Sequence, residues 1–247
     1  MEHILIGDLI FDQAGDILGT TYTGGASDYG VVYELSPSGG AWTETVLYSP
    51  QNFGDGAYVA GGVVSDSSGN LYGVFGSGGP EGYGAVYELS PSGGSWTEQI
   101  LHAFSYAGND GANPVGGLIL DSSGNLYGMT TGGNDGGAVF ELTPANGGWI
   151  SNTLHSGTGL NEDKLVMDGA GNLYGTTYYG GTYRDGTVFK LRPVSGGWAY
   201  TSLHDFTGGS DGYWPASTLV FDAHGHLYGT ASQGGANNHG VIFEITP

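Results

Sequence analysis

The chain has 247 residues, of which 51 are glycine and 17 are tyrosine, and only 4 are lysine or arginine. This composition suits short strands joined by tight turns and disfavours long helices. The formal net charge of −20 repels phosphate backbones and anionic lipid surfaces, so the sequence predicts neither a nucleic-acid partner nor membrane insertion. Because there is no cysteine, disulfides, thiolate metal sites and a cysteine nucleophile are excluded.

Five copies of a short segment of the form GNLYG divide the chain. Their first glycines are Gly15, Gly69, Gly124, Gly171 and Gly225. The spacings of 54, 55, 47 and 54 residues exceed those of common solenoid repeats and match a four-stranded propeller blade. We therefore expect an all-β single domain, a five-bladed β-propeller of four-stranded antiparallel blades. The predicted blades cover approximately residues 8–61, 62–116, 117–163, 164–217, and 218–247 together with 1–7.

Four strands are predicted in each copy, and the third copy shows them most clearly. Its segments GGLILD, NLYGMT, GAVFELTP and WISNTLH are typical of strands one to four. An aspartate precedes the turn from strand one to strand two in every copy, where its side chain can accept hydrogen bonds from nearby backbone N–H groups. These aspartates, interpreted as turn residues rather than catalytic groups, are Asp12, Asp66, Asp121, Asp168 and Asp222.

The fourth copy carries the fullest form of the repeat, with GNLYGTT, a following GG and then GTVFKL between Gly171 and Leu191. These residues resemble the GloVer-type tandem repeats, and the resemblance covers nearly the whole chain. It implies a propeller of the kind found in secreted or cell-surface bacterial proteins, and it brings no catalytic motif. The first copy departs most, having GDILG with Leu18 at the tyrosine position.

The last copy stops at FEITP, before a tryptophan-containing fourth strand. The N-terminal segment MEHILI aligns with TEQILH of the second copy. We expect it to complete the last blade, with Ile4 and Leu5 beside Phe243, and to close the ring. Chain reach opposes this expectation, because only Gly7 would join an outermost strand to the next innermost one across three spacings of ~4.8 Å. The alternatives are a three-stranded last blade and a fragment of a longer array.

Residues that recur in the copies are explained by the blade, so function is sought where the copies differ. The tryptophans that share one repeat position are interpreted as packing residues: Trp42, Trp96, Trp149 and Trp198. Three histidines share an outer-strand position in three different blades: His102, His155 and His204. They cannot converge on one zinc ion. The NDG and SDG loops do not match the twelve-residue calcium loop, so neither a metal nor a cofactor is predicted.

Long and diverse connections mark one face of the predicted propeller, those from strand two to three and from strand four to the next blade. Variable loops on a rigid scaffold are where binding residues concentrate. Aromatic rings stack on the apolar faces of sugars, and carboxylates accept hydrogen bonds from sugar hydroxyls. The candidate ligand-binding residues are Trp214, Tyr213, Asp211, Tyr106, Asp110, Tyr58, Asp55, Tyr179 and Asp185. The competing interpretations are that Trp214, outside the repeated tryptophan position, fills a gap between blades, and that the acids only form turns.

Three functions are compatible with these features. The leading hypothesis is a noncatalytic binding module, lectin-like, that takes a neutral glycan or another small molecule on the loop-rich face. The second is a glycoside hydrolase, because Asp8 and Lys164 break the repeat symmetry at the mouth of the channel and Glu162 and Asp163 lie alongside. The third is an engineered or excised structural propeller with no ligand. No catalytic residue is assigned.

Overall fold

The computed structural model describes residues 7–134, 136–157, 159 and 164–247. Within these ranges the protein is all-β, with twenty strands and one single-turn 3-10 helix, Phe53–Asp55. The strands form five separate four-stranded antiparallel sheets, one for each sequence repeat. The predicted all-β class and the four-stranded antiparallel sheets are therefore confirmed. In the described part of the chain, no helix is long and apolar enough to cross a bilayer.

The strands are numbered in chain order. Sheet 1 contains β1 (Ile10–Phe11), β2 (Ile17–Thr21), β3 (Val31–Ser38) and β4 (Ala41–Tyr48). Sheet 2 contains β5 (Ala57–Ser65), β6 (Leu71–Ser77), β7 (Ala85–Ser92) and β8 (Ser95–Ala103). Sheet 3 contains β9 (Ala112–Leu120), β10 (Leu126–Gly132), β11 (Ala138–Ala145) and β12 (Gly148–Ser156). Sheet 4 contains β13 (Val166–Met167), β14 (Leu173–Thr177), β15 (Thr187–Val194) and β16 (Gly197–Asp205). Sheet 5 contains β17 (Tyr213–Pro215), β18 (Val220–Phe221), β19 (Leu227–Gln233) and β20 (Val241–Ile245).

Sheet 5 differs from the other four in its topology. In sheets 1 to 4 each strand pairs with the next along the chain. In sheet 5, β17 and β18 pair with successive stretches of one edge of β19, and β20 pairs with the other edge. The two short strands together hold the place that β9 fills alone in sheet 3. Among the described residues, no further strand therefore pairs with the outer edge of β20. The segment expected to complete this sheet, residues 1–6, lies outside the described residues, and its role in ring closure stays a prediction.

The turn role predicted for the five aspartates is confirmed. Each carboxylate accepts hydrogen bonds from the backbone N–H groups two and four residues later. Asp168, for example, also accepts from the side chains of Asn172 and Tyr174, at 2.7 and 2.9 Å. These bonds satisfy the turn and fasten it to the following strand, which explains why GNLYG follows the aspartate at a fixed distance.

The second glycine of GNLYG makes room for a ring from the next strand. A Cβ atom on Gly128 would lie 2.5 Å from the ring of Phe140, and one on Gly73 would lie 2.3 Å from the hydroxyl oxygen of Tyr87. Both rings are fully buried. The repeated glycine therefore allows close packing of an aromatic side chain across neighbouring strands.

Among the described residues, the core consists of four apolar clusters, one at each junction between consecutive sheets. The junction of sheets 2 and 3, for example, packs Val74 and Val86 of sheet 2 against Leu118 and Phe140 of sheet 3. Sheets 1 and 2, sheets 3 and 4, and sheets 4 and 5 have equivalent clusters. A sheet therefore buries both of its faces only when a neighbouring sheet packs on each side of it.

The repeated tryptophans pack on the preceding sheet in three of the four cases. Trp149 meets the ring of Tyr72 edge-on with centroids 6.1 Å apart, and Trp198 meets Tyr127 in the same way at 6.1 Å. Trp96 packs against the cluster between sheets 1 and 2. Trp42 is 53% exposed, which departs from the predicted packing role, because no described sheet precedes sheet 1.

Candidate functional site

The connections from strand two to strand three and those from strand four to the next sheet meet along one edge of the sheets. A backbone hydrogen bond recurs along this edge. In three junctions, the N–H of the second residue of a sheet's first strand donates to a carbonyl in the strand-two-to-three connection of the preceding sheet. The pairs are Tyr58 to Tyr29 at 2.9 Å, Asn113 to Tyr83 at 2.8 Å, and Trp214 to Asp185 at 2.9 Å. The three donor residues have positive φ, 61°, 56° and 56°, a conformation that L-residues rarely adopt. The bond fastens each loop to its neighbour.

Trp214 lies outside the repeated tryptophan position, as expected, but its backbone position has counterparts in two other sheets. Its position is filled by Tyr58 in sheet 2 and by Asn113 in sheet 3. The sequence signal is an Asp-Gly pair two residues earlier in all three copies. The residue types do not show that the three positions are equivalent, because the three side chains share no chemistry.

The ring of Trp214 lies in an aromatic cluster between sheets 4 and 5. It stacks on Tyr178 with centroids 5.2 Å apart and an interplanar angle of 17°. Tyr213 and Tyr179 meet it edge-on at 4.9 and 6.2 Å. Trp214 is half-buried, whereas Tyr179 is 53% exposed. Trp214 therefore both packs in the junction and borders an exposed aromatic surface.

An equivalent stack lies between sheets 1 and 2. Tyr58 stacks on Tyr22 with centroids 4.9 Å apart and an angle of 15°, and Tyr29 meets Tyr58 edge-on at 6.2 Å. Tyr22 and Tyr178 hold the same position, directly after the Thr-Thr pair of their copies. Neither is among the candidate ligand-binding residues predicted from the sequence, although this spacing marks both.

The junction of sheets 2 and 3 presents a different aromatic pair. Its stack positions hold Gly76 and Asn113, whose Nδ2 donates to the Gly76 carbonyl at 2.9 Å. Tyr83 and Tyr106 lie farther out, with centroids 5.6 Å apart, and both are exposed. Three junctions thus carry aromatic side chains on the same edge.

The predicted acidic residues of this edge already have hydrogen-bond partners within the protein. Asp55 accepts from the backbone N–H of Gln51 at 3.1 Å and from the Asn52 side chain at 2.9 Å. Asp110 contacts His102 Nε2 at 2.5 Å and accepts from the Ser151 hydroxyl at 3.1 Å.

Asp211 holds the equivalent place in the loop between sheets 4 and 5. It accepts from the Thr207 backbone N–H at 3.0 Å and hydroxyl at 2.5 Å, and it contacts His204 Nε2 at 3.2 Å. Asp185 supplies its backbone carbonyl to Trp214. All four acids therefore help to shape the loops that present the aromatic rings. His102 and His204 lie in separate sheets, as expected, and His155 stacks on Tyr200 instead.

The charge states of these acids follow from their surroundings. Burial raises the pKa of Asp110, but hydrogen bonds from His102 and Ser151 outweigh it and hold the pKa below its ordinary value. Burial also acts on Asp211, whose pKa is lowered by the hydrogen bonds from Thr207. Both side chains are carboxylates at neutral pH. Glu98 behaves oppositely, since burial and then the nearby charge of Asp55 raise its pKa to about 7.

A cavity of about 620 Å³ lies where all five repeats converge. Its lining includes Asp8, Lys164 and Thr218, together with residues of sheets 2 and 3. Lys164 Nζ lies 3.5 Å from Asp8 Oδ2, and the Lys164 backbone N–H donates to the Thr218 hydroxyl at 3.4 Å. The two residues expected at the channel mouth are thus brought together as an ion pair. Glu162 and Asp163 lie outside the described residues.

In the part of the chain that the structure describes, one group of carboxylates has the spacing of a cation site. Oxygen atoms of Asp12, Asp16 and Glu34 lie within 4.8 Å of one another in sheet 1. In sheet 3 the equivalent acids receive hydrogen bonds from Asn125 and Tyr127, and both donors are replaced in the first copy. Exposed acidic groups of this kind are common without an ion, so the cluster alone identifies no metal centre.

The sequence matches the Gloeobacter/Verrucomicrobia repeat over residues 5–164 and 134–247. No curated protein shows significant sequence similarity to this chain. Among solved structures, a protein of unknown function from Dyadobacter fermentans has a TM-score of 0.53 at 13% identity, with 92% of this chain and 74% of that chain covered.

Two further structures are similar. A triple mutant of AofleA from Arthrobotrys oligospora has a TM-score of 0.55 at 14% identity, covering 100% of this chain and 70% of that one. An ulvan lyase of polysaccharide lyase family PL25, bound to -[GlcA(1-4)Rha3S]-, has a TM-score of 0.52 at 11% identity, covering 97% and 69%. At these identities the likeness extends to the fold alone.

Proposed function

The chain belongs to the Gloeobacter/Verrucomicrobia repeat family, and on that premise we propose that it is a noncatalytic, lectin-like module that binds neutral glycans. In this proposal the five sheets are the blades of a five-bladed propeller. The convergence of all five repeats on one cavity supports that arrangement. The ligand lies on the loop-rich edge, where connections of neighbouring sheets meet.

The observation that carries this proposal is the recurrence of one stacked aromatic pair in two junctions, Tyr22 with Tyr58 and Tyr178 with Trp214. A ring held by stacking on one face and by edge contacts at its rim loses little conformational freedom when a ligand arrives. Sugars present apolar C–H faces that pack on such rings, while their hydroxyls need hydrogen-bond acceptors. Exposed Tyr179 extends the platform beside Trp214.

The acids of the same loops supply those acceptors in the proposal. Asp110 and Asp211 are ionised at neutral pH because their pKa values are lowered. A carboxylate offers about four lone-pair positions, so each retains accepting capacity beyond its contacts to its own loop. The candidate platforms are Trp214, Tyr213, Tyr179, Asp211 and Asp185 in one junction, Tyr58 and Asp55 in another, and Tyr106 and Asp110 in the third.

Charge directs the choice of glycan. The net charge of −20 repels sugars that carry carboxylates or sulfates. The similar ulvan lyase is bound to a disaccharide containing an acidic sugar, which this chain would disfavour. Neutral sugars fit the site, and several weak platforms on one chain raise the avidity for a polymer without new contacts.

A glycan array followed by calorimetry tests the proposal. The expected result is binding to one class of neutral glycan and a loss of at least tenfold in affinity for Trp214→Ala. Phe11→Ala is the matched control, because Phe11 is a 70% exposed ring in β1, away from the loops. The Phe11→Ala protein is expected to bind the glycan with wild-type affinity. Silence of folded protein across the array refutes the proposal. So does a Trp214→Ala protein that is destabilised but whose folded fraction binds normally.

The second candidate function is glycoside hydrolysis, favoured by the presence of Asp8 in the cavity where the repeats meet. Its ion pair with Lys164 keeps a charged group beside an open volume large enough for a sugar. Two carboxyl groups at a set separation are needed for this chemistry. Release of reducing ends from a neutral polysaccharide, lost in Asp8→Asn, would replace the binding proposal.

A further inference from the structure

A tyrosine occupies one position on the second strand in four of the five copies. Between sheets 2 and 3 and between sheets 3 and 4, its ring meets the tryptophan of the next sheet edge-on, with centroids 6.1 Å apart in both junctions. Its hydroxyl lies between two acids, since that of Tyr127 is 3.1 Å from Asp121 Oδ2 and 2.9 Å from Glu141 Oε1. The position therefore holds a phenol between an indole and two carboxylates. The residues at this position in the five copies are Leu18, Tyr72, Tyr127, Tyr174 and Tyr228.

The first copy keeps these surroundings but lacks the phenol. Leu18 stands at the tyrosine position and pairs with Glu34 in the register that the tyrosines share with their glutamates. Trp96 of sheet 2 packs against the junction of sheets 1 and 2, and Asp12 supplies the turn carboxylate. Because a leucine side chain is shorter than a tyrosine side chain, Leu18 does not extend to the place where the other copies have the hydroxyl group.

A cavity of about 430 Å³ opens beside Leu18, and its lining includes Asp12, Glu34 and Trp96. This volume lies within the range of small-molecule sites, ~300–1,000 Å³. A cavity of about 490 Å³ has the equivalent location between sheets 2 and 3, but there Tyr72 forms part of the wall. The cavity beside Leu18 therefore connects an indole ring with the carboxylates that a tyrosine hydroxyl contacts in the next two sheets.

The carboxylates beside Leu18 lack two donors that their counterparts have. In sheet 3 the equivalent acids accept hydrogen bonds from an asparagine side chain and from the tyrosine. Asp16 and Leu18 stand at these two positions in the first copy, and neither an ionised aspartate nor a leucine side chain carries a donor. Burial, and then the hydrogen bond with its glutamate, raise the pKa of Tyr127 well above its ordinary value. Such surroundings therefore suit a neutral phenol that donates its O–H.

We propose that the cavity beside Leu18 binds a small neutral phenol, whose ring packs against Trp96 and whose hydroxyl donates to Asp12 or Glu34. The tyrosines of the next two sheets make the same two contacts within the chain. The net charge of −20 disfavours an anionic ligand, and the phenol hydroxyl supplies the donor that Leu18 lacks. The cavity borders the turns from strand one to strand two, on the edge opposite the long loops, so this site does not depend on the proposed glycan platforms.

Proton–nitrogen NMR of the five tryptophan indole N–H groups tests the proposal, with phenol itself as the probe. Phenol is expected to shift the Trp96 signal saturably and to leave the Trp214 signal unchanged. Benzene, which has the ring without the hydroxyl, should need about tenfold higher concentration. Leu18→Tyr restores the residue of the other copies, so it should fill the cavity and abolish the shift without lowering the melting temperature. Tyr72→Leu opens the equivalent position in the next junction and should add a saturable shift of the Trp149 signal.

Several results overturn the proposal. One is a Trp96 signal that does not move at about 10 mM phenol. An equal response to benzene would show an apolar cavity that does not recognise the hydroxyl. A shift that persists in folded Leu18→Tyr would place the ligand elsewhere, and this variant alone decides the matter if Tyr72→Leu does not fold. Calcium chloride that displaces phenol at a lower concentration than phenol needs to bind would show a cation site instead.

Discussion

Removal of the carboxyl group of Glu98 should abolish a fall in stability between mildly acidic and neutral pH. Glu98 lies on β8, paired with Leu89, and its Oε1 is buried with no hydrogen-bond partner found in the described structure. The hydroxyl of Tyr87 is likewise buried and unpaired. Burial, and then the charge of Asp55, raise the pKa of Glu98 from its ordinary value of 4.5 to about 7.

The sign of the effect follows from proton linkage. Below pH 4.5 the group is protonated in both the folded and the unfolded chain, and its ionisation costs nothing. Between pH 4.5 and about 7 the folded chain keeps the proton that the unfolded chain releases, so the free energy of unfolding falls as pH rises. Above about pH 7 the loss is complete. At about 1.4 kcal/mol for each pKa unit, the full rise corresponds to about 3.4 kcal/mol, which solvent screening of this half-buried group reduces to about 1–2 kcal/mol.

Urea unfolding of wild type and Glu98→Gln at pH 4.5, 5.5, 6.5 and 7.5 measures this quantity. The wild type is expected to lose about 1–2 kcal/mol relative to Glu98→Gln across the series. Acids whose pKa values are lowered, such as Asp168, act alike in both proteins and cancel in the difference. Glu44→Gln is the control, because Glu44 holds the equivalent position on β4 but is exposed. If the difference in unfolding free energy between wild type and Glu98→Gln does not change with pH, folding does not raise the pKa of Glu98.

Two further substitutions test the packing. A Cβ atom on Gly61, which has a φ of +76°, would lie 2.0 Å from the Gly117 backbone nitrogen, so Gly61→Ala should lower the free energy of unfolding in urea by more than about 3 kcal/mol. Gly171→Ala is the control, because Gly171 has a similar φ and open space around it, and it should lose about 1–2 kcal/mol. Equal losses in the two variants would refute the predicted clash. Trp149→Ala should cost about 1–3 kcal/mol, less than a fully buried tryptophan, because Trp149 is half-buried against Tyr72. If Trp42→Ala is as costly, packing on the preceding sheet is not the reason.

The repeat could be predicted from the sequence because its constraints are local. The aspartate before GNLYG bonds to backbone groups only two and four residues away, and the second glycine makes space for a ring on the neighbouring strand. Such short-range requirements leave the same letters in every copy. In the third copy, the limits of strands two to four agree with the prediction to within two residues, whereas strand one begins at Ala112, four residues before the predicted GGLILD segment.

The arrangement of the site was harder to predict, because it depends on contacts between sheets. Trp214, Tyr58 and Asn113 share a backbone position but no side-chain chemistry, so the backbone hydrogen bond to the preceding sheet, and not the residue type, makes them equivalent. The orientation of the Asp110 and Asp211 carboxylates could not be predicted either. Each points toward a histidine on the preceding strand. Likewise, Ile242 looks like a core residue in the repeat, and only the absence of a facing sheet among the described residues leaves it exposed.

The position shared by Tyr58, Asn113 and Trp214 has a consequence for how such proteins diversify. Its positive φ is held by a main-chain bond to the neighbouring sheet, and that bond makes no demand on the side chain. A single codon change can therefore exchange a phenol, an amide or an indole at the rim of one junction while the scaffold stays the same. Tandem copying adds one such position with every duplicated repeat, and the side chain at each can vary independently of the others.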